Sequence, residues 1–536
     1  MEAPGGTVGQ KHVLAIDLGS GGPKVGVVGE SGEVVASAVE KTTTRLLPGG
    51  GAEQDPEEWW QAIAAASRKV VRACGISTEQ IIAVCCTTQW SVTVPVDENG
   101  KPLMHAVHWL DTRGAVYNRA ICKGFPSIQG YGLAKLVRWV RLAGMPPTLG
   151  GSDALAHILF IQHERPEIYR KTYKFLEPMD YLSLRLTGRC ASTLSNAFPL
   201  ILTDNRDPEC RDYDPALVRL AGIDRAKLPD LLANDGAPAP ILPSVARELG
   251  LAPETRVTQP ANDDHTAAIG AGAVRDFDPV MVLGTSGFLV CHTPRKKTDL
   301  IRHMTTMPSP IRGRHVLFCE MGGAGKSLEF FLNGLIYCQD GFGGGGPPPA
   351  DAYERLDRMA GESPAGSGGV LFLPWLNGAL VPDQDPTMRG GFLNLSNSTT
   401  RAHMSRAVLE AIAFNVRWLI DAARKFTGRR FPFLRLAGAG ALSDVWAQIH
   451  ADILGIPVHQ MAEPRNANVR GAAFLAFDQL GYGSVEEAPE KVRVARICTP
   501  NPENRSLYDR MFQQFQAAYR KNKSICAALN GEAAGK

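Results

Sequence analysis

The sequence predicts an α/β chain built as two similar halves that face each other across a cleft. Glycine-rich turns between apolar, β-branched runs occur twice, at Gly19–Gly22 and Gly284–Gly287, 265 residues apart in a chain of 536. Strand-like runs alternate with stretches whose apolar residues recur every three or four positions, the rhythm of helices laid on a sheet. A chain of this length also exceeds what one hydrophobic core usually supports, so two large domains are the default.

In chain order, Val13–Val28 is expected to form a β-hairpin, because glycine tolerates positive φ at the turn and lets backbone approach a ligand closely. Pro56–Cys74 has helical spacing, and Ile81–Cys86 reads as a strand. A boundary is expected between Gly272 and Pro279, where small residues give way to Arg275-Asp276-Phe277-Asp278, and the second half opens there with its own hairpin. The segments Gly341–Pro349 and Gly361–Gly369 are too rich in glycine and proline to hold a helix or a ladder and are expected as surface loops. Phe433–Leu436 is expected as a strand, 438–444 as a turn and Val445–Leu454 as a helix, with a frayed end at Asn530–Lys536.

Composition excludes several classes. A hydrophobic fraction of 44% and a charged fraction of 21% are ordinary for a globular protein. A net charge of +3 with no basic run interleaved with aromatics gives nucleic-acid binding little support. The cysteines number 11 and show no paired CxxC spacing, so neither a disulfide framework nor a zinc site is indicated. Residues Met1–Lys11 lack an apolar leader, and no run of about 18 apolar residues occurs, so a soluble, cytoplasmic protein without membrane contact is expected.

The chemistry concentrates in Ala261-Asn262-Asp263-Asp264-His265-Thr266, followed by Val282-Leu283-Gly284-Thr285-Ser286-Gly287. A carboxylate shortly before a Gly/Thr/Ser turn suggests a base beside a phosphate cradle, which is what phosphoryl transfer needs. Two other phosphate signatures fail. Gly325-Lys326-Ser327 resembles the end of a Walker A loop, but Glu320 stands where its first glycine belongs, and Gly19-Ser20-Gly21 lacks the third glycine of a dinucleotide fingerprint.

Eight motifs extend this pattern in order: Asp17-Leu18-Gly19-Ser20 with Lys24; Trp109-Leu110-Asp111-Thr112-Arg113; Asp180-Tyr181-Leu182 with Leu186-Thr187-Gly188; Gly284–Gly287; Arg389-Gly390-Gly391-Phe392; Arg406–Glu410; Gly438-Ala439-Gly440; and Gly471-Ala472-Ala473. Over roughly residues 12 to 480 the chain resembles the FGGY carbohydrate kinases, and most of all their xylulokinases. The resemblance implies two ribonuclease H-like domains of the actin-like ATPase superfamily: residues 11–273 with the sugar site and base, and 274–525 with the nucleotide site. It also implies ATP and Mg²⁺, a small sugar or polyol acceptor, and a homodimer as a common assembly.

Carried onto this sequence, the resemblance makes Asp263 the general base, in preference to Asp264, which would hold a substrate hydroxyl. Asp17 becomes the Mg²⁺ ligand. Gly19, Ser20, Gly284 and Thr285 would hold the phosphates; Gly438, Gly440 and Ser443 would admit the adenine, with Gly325 as a weaker nucleotide contact. Trp90, Ser91, Trp109 and Asp111 would line the acceptor pocket. Each has a plain competitor: acidic turn residues, an ordinary hairpin, a strand-to-helix connection, or a salt-bridged strand end beside a core tryptophan.

Three departures stand out. Gln89-Trp90-Ser91 replaces the Gln-Met-His-Gly usual in xylulokinases, which reshapes the pocket wall and puts the identity of the sugar in doubt. Gly378-Ala379-Leu380 replaces Gly-Glu-Arg, removing a charged pair that would brace the domains. Thr193 stands where an aspartate is common and reads as structural variation. The expected activity is phosphorylation of a ketopentose such as xylulose. The alternatives are another acceptor (ribulose, gluconate, glycerol or erythritol), an ATP-binding sensor, or a degraded regulator.

Overall fold

The apolar run at the N-terminus folds as expected into two antiparallel strands, β1 (His12–Gly19) and β2 (Gly22–Gly29), joined by the glycine turn. β3 (Val34–Val39) extends β2, and β4 (Ile81–Thr88) lies parallel beside β1. Three short strands complete the sheet: β5 (Ala239–Pro240), β6 (Arg256–Val257) and β7 (Ala261–Asn262), of which β6 and β7 both run parallel to β4. The order is β5-β6-β4-β1-β2-β3. The computed structural model describes residues 10–300, 302, 304–338, 340 and 346–531. The expected loop is therefore described only from Gly346, and most of the expected frayed end lies outside these residues.

The second half repeats the plan. β8 (Pro279–Leu283) and β9 (Gly287–Thr293) form the second glycine-turned hairpin, and β10 (Thr298–Asp299), β11 (Met304–Pro308) and β12 (His315–Gly322) extend it on one side. On the other side β13 (Leu434–Ala437) and β14 (Val458–Met461) run parallel to β8, and β15 (Val494–Cys498) closes the edge antiparallel. In both sheets a hairpin carries its first strand next to parallel strands, so the two halves share one topology.

Central strands are buried on both faces, which is why they read as continuous apolar runs. On one face of the first sheet, α1 (Pro56–Ala73) presses Trp59, Trp60, Ile63 and Val70 onto Leu14, Ile16, Val25 and Val27. Its start is fixed by Pro56 and by the Asp55 carboxylate, which accepts from the Glu57 N–H at 2.9 Å.

The opposite faces of both sheets are covered by two helices lying between them. α2 (Asp263–Gly270), from the first half, packs Ala268 and Ile269 against Val280 and Val290 of the second sheet. The long α3 (Arg401–Thr427) covers the far face of that sheet. α4 (Asp444–Leu454) follows β13 as the sequence predicts, with Asp444 added at its start. α5 (Ala467–Gln479), from the second half, packs Val469, Ala472, Ala473 and Phe477 against Val13, Ala15, Ala83 and Cys85 of the first sheet. Each half thus lends one helix toward the other, and the helices cross glycine to backbone. A Cβ on Gly270 would lie 1.8 Å from the Ala467 carbonyl oxygen, and one on Gly471 would lie 1.9 Å from that of Thr266. The chain passes from one sheet to the other between Gly270 and Pro279.

Several expectations need correction or completion. The segment from Gly361 is not loop throughout, because the helix Ala352–Glu362 takes its first two residues and Ser367–Gly369 forms a 3-10 turn. Ala379 is buried and exchanges backbone hydrogen bonds with Asp385, while Leu380 lies beside Gly322, so the segment that lost its charged pair is held by backbone and packing. The Thr193 hydroxyl accepts from the Asn196 N–H at 3.3 Å, a turn-closing role that fits structural variation. The 11 cysteines are all unpaired, and no helix among the described residues is long and apolar enough to cross a membrane.

Candidate active site

Parallel strands deliver the acidic residues to one place. Asp17 on β1 lies beside Thr87 of β4, and Asn262 on β7 lies beside Thr88, so Asp17 and Asp263 stand at the same carboxyl edge of the first sheet, on either side of β4. Open α/β sheets bind ligands at that edge. Asp263 follows the two-residue strand β7 directly and opens α2.

Both carboxylates keep some solvent access although protein surrounds them. Burial raises the Asp17 pKa, opposed by Lys24 across the hairpin and by a hydrogen bond from Asn468 Nδ2 at 3.3 Å. Burial raises the Asp263 pKa well above the ordinary carboxylate range, and the charges of Asp264 and Asp17 add to it. Asp264 is 1% exposed, neither of its oxygens has a partner, and burial pushes its pKa up to about 7.

Residues 464–468 of the second half tie this edge to the second sheet. The Gly438 N–H donates to the Pro464 carbonyl at 3.0 Å, Lys24 Nζ donates to the Arg465 carbonyl, and Asn468 reaches Asp17. Gly438 itself sits at φ 83°, where a Cβ would lie 2.6 Å from the Leu283 carbonyl, so this turn folds directly onto the end of β8. Gly440 packs against Leu283 and Trp446.

The expected phosphate residues sit at the glycine turn of each half, with Gly325 beside the second. Gly325 donates to the Gly284 carbonyl at 2.9 Å and Lys326 to that of Thr285 at 3.1 Å, which fixes Gly325 to the turn. Space beside the turns is open: a Cβ on Gly284 would meet nothing nearer than 3.6 Å, and one on Gly19 nothing nearer than 3.9 Å. Ser443 has a further duty, since its Oγ caps α4 by accepting from the Trp446 N–H at 2.9 Å and also pairs with Asp357.

On the acceptor side the picture divides. Trp109 is half-buried, and its Nε1 donates to Ser20 Oγ at 3.0 Å. Ser20 donates to Gln89 Oε1 at 2.6 Å, and Gln89 Nε2 to Gln54 Oε1 at 2.7 Å, so a buried amide chain positions both the tryptophan and the first turn. Asp111 is fully buried in a structural network: it accepts from the Ala52 N–H at 2.9 Å and pairs with Arg113, which also pairs with Glu53. That favours the salt-bridged reading over direct substrate contact for Asp111.

Ser91 sits at φ 59° and spends its hydroxyl proton on the Ser152 carbonyl at 3.0 Å. Trp90 turns the other way, with its ring 5.6 Å from Phe318 of β12 and 6.5 Å from Phe198, so it joins the two halves by an aromatic contact. Sequence reasoning missed Glu177, whose carboxylate accepts from the Val92 N–H at 3.2 Å and holds the Gln89–Val92 turn. It also missed Asn468, although Gly471 flagged the same helix.

Behind the base, Asn196 bridges Asp180 Oδ1 at 3.3 Å and the Pro260 carbonyl at 3.2 Å, three residues before Asp263. Asn196→Ala leaves buried polar groups unpaired and should cost about 1–3 kcal/mol of stability. Urea unfolding measures this, and an unchanged midpoint would show that the bridge carries no load.

Comparisons with known proteins give the family of the chain. The model for the FGGY family of carbohydrate kinases, N-terminal domain, matches residues 12–270, and that for the C-terminal domain matches 280–479. A xylulose kinase from Staphylococcus epidermidis is 27% identical over 519 residues, 96% of this chain and 98% of its own. A glycerol kinase from Dechloromonas aromatica is 30% identical over 480 residues, 88% of this chain and 89% of its own. Among solved structures, a gluconate kinase from Lactobacillus acidophilus superposes with a TM-score of 0.83 at 20% identity, over 97% of this chain and 100% of its own.

Proposed function

Because the chain belongs to the FGGY family of carbohydrate kinases, we propose that it moves the γ-phosphoryl group of ATP to a hydroxyl of a small sugar or polyol, with a ketopentose such as xylulose as the first candidate. The observation that carries this is the placement of Asp17 and Asp263 at one strand edge, tied through residues 464–468 to the glycine turns of the second sheet. In this reading residues 11–273 and 274–525 are the two domains, and a cytoplasmic setting supplies the ATP.

Asp263 accepts the proton of the attacking hydroxyl, and the raised proton affinity that its surroundings give it makes it a better base than a free carboxylate. The N–H groups of the two glycine turns hold the phosphates, and the Gly438–Ser443 turn borders the nucleotide. The donor set fits Mg²⁺: a pair of carboxylates with accumulated negative charge suits an ion that keeps several waters. Bound there through Asp17, the ion would neutralise phosphate charge during transfer. Trp109, held by Ser20, offers an aromatic face to the acceptor, and approach of the halves shuts out the water that would otherwise hydrolyse ATP.

The test is magnesium-dependent ADP release across ketopentoses, ketohexoses, aldonates and small polyols. A stimulating acceptor supports the kinase and names its substrate; ATP binding without stimulation by any acceptor would favour the sensor reading. A pH prediction follows from Asp263. The base works deprotonated and its pKa is raised, so kcat/KM should be full at alkaline pH and fall as pH drops through a value above the ordinary carboxylate range of about 4. An acid limb at or below that range would contradict the assignment.

A further inference from the structure

Glu320, which the sequence shows only as the residue that spoils a Walker A match, stands exposed near the end of β12 that meets the second glycine turn. On β12 the side chains of Leu317, Cys319 and Met321 enter the core under α3, whereas Val316 and Phe318 lie on the opposite face, toward α2 and α5. Strand alternation puts Glu320 with the second set. Its ladder neighbour on β9 is Phe288, whose ring is 5.6 Å from that of Phe318, and Phe318 meets Trp90 at 5.6 Å. Glu320 therefore lies about 7 Å along the strand from Phe318, two residues short of Gly322, which pairs with Gly287 at the end of the phosphate turn.

The carboxylate is open to solvent yet set deep among protein, and it has no hydrogen-bond or ion-pair partner among the described residues. Surrounding protein raises its pKa, and no charged group among the described residues is near enough to compensate it. It is not part of a metal cage, since no three-ligand cluster exists among the described residues. What remains is an acceptor of hydrogen bonds on the same sheet face as Phe288 and Phe318, two residues from the strand end that meets the phosphate turn. Aromatic faces pack on the C–H faces of a sugar, and a carboxylate accepts from its hydroxyls.

Resting on the kinase reading above, we propose that Glu320 binds hydroxyls of the acceptor from the second half and selects neutral polyols and ketoses over acceptors that carry a carboxylate. An aldonate would bring a like charge beside Asp17, Asp263 and Glu320, and Lys24, the lysine beside Asp17, is already committed to Asp17 and the Arg465 carbonyl. The gluconate kinase fold shared with this chain makes that discrimination a pointed one.

The experiment compares wild type, Glu320→Gln and Glu320→Ala on neutral ketoses and alditols and on aldonates, reading acceptor KM, ATP KM and kcat, with thermal melts to confirm folding. Glu320→Ala should raise the neutral-acceptor KM about tenfold or more, as loss of a charged hydrogen bond does, with ATP KM within threefold. Glu320→Gln should raise it less and gain turnover of aldonates. An unchanged acceptor KM in Glu320→Ala, a wild type that prefers an aldonate, or a joint fall in kcat and melting temperature in both variants would overturn the proposal while leaving the kinase standing. Wild type without acceptor-dependent turnover would overturn the kinase reading and this proposal with it.

Discussion

Replacing Asp263 with asparagine is expected to lower kcat by about 10²–10⁴, the range that a positioned general base contributes, while ATP affinity changes little. The residue opens α2 directly behind β7, so its position depends on backbone that asparagine leaves intact. Asp264→Asn is the informative neighbour. Its carboxylate is buried without a partner and lies one residue along the helix, so it should affect acceptor KM more than kcat. Steady-state kinetics with ATP binding measured separately checks both. Full turnover in Asp263→Asn, or a larger kcat loss in Asp264→Asn, would exchange or remove the roles.

Replacing Gly270 with alanine should produce the largest loss of stability. Its Cβ would sit 1.8 Å from the Ala467 carbonyl oxygen, which is backbone of α5 and cannot rotate aside. Overpacking typically costs about 1–3 kcal/mol and occasionally more, and here the upper end is expected because α2 and α5 are clamped between two sheets. Gly391→Ala serves as control, since a Cβ there meets nothing within 4 Å. Denaturant unfolding should separate the two variants clearly; equal midpoints would show that the helices do not meet at this crossing.

The hairpins and the helices that follow them were legible because their signals are local: β-branched runs around glycine at Val13–Val28, and three-to-four spacing at Pro56–Cys74. The order of the motifs grouped Asp17, Asp263 and the second glycine turn as one expected chemistry. What stayed hidden is long-range. That α5 would leave its own half to cover the first sheet is written in Gly270 and Gly471 only as a pair, and Asn468 reaches Asp17 across 451 positions. Asp111 and Ser443 looked like ligand contacts because their motifs lie at the site, yet packing commits Asp111 to Arg113 and Ser443 to a helix cap. Glu320 drew notice only as a mismatch, because its meaning depends on Phe288 one strand away and Trp90 in the other half.

The central claim is transfer of a phosphoryl group to an acceptor hydroxyl with Asp263 as base. The most direct test follows ³¹P NMR of the purified protein with MgATP and the acceptor that best stimulates ADP release, beside Asp263→Asn. The account predicts a new phosphomonoester resonance growing in step with loss of the γ-phosphate signal in the wild type and suppressed in the variant. Inorganic phosphate as the only product, or an ester formed equally fast by Asp263→Asn, would contradict it.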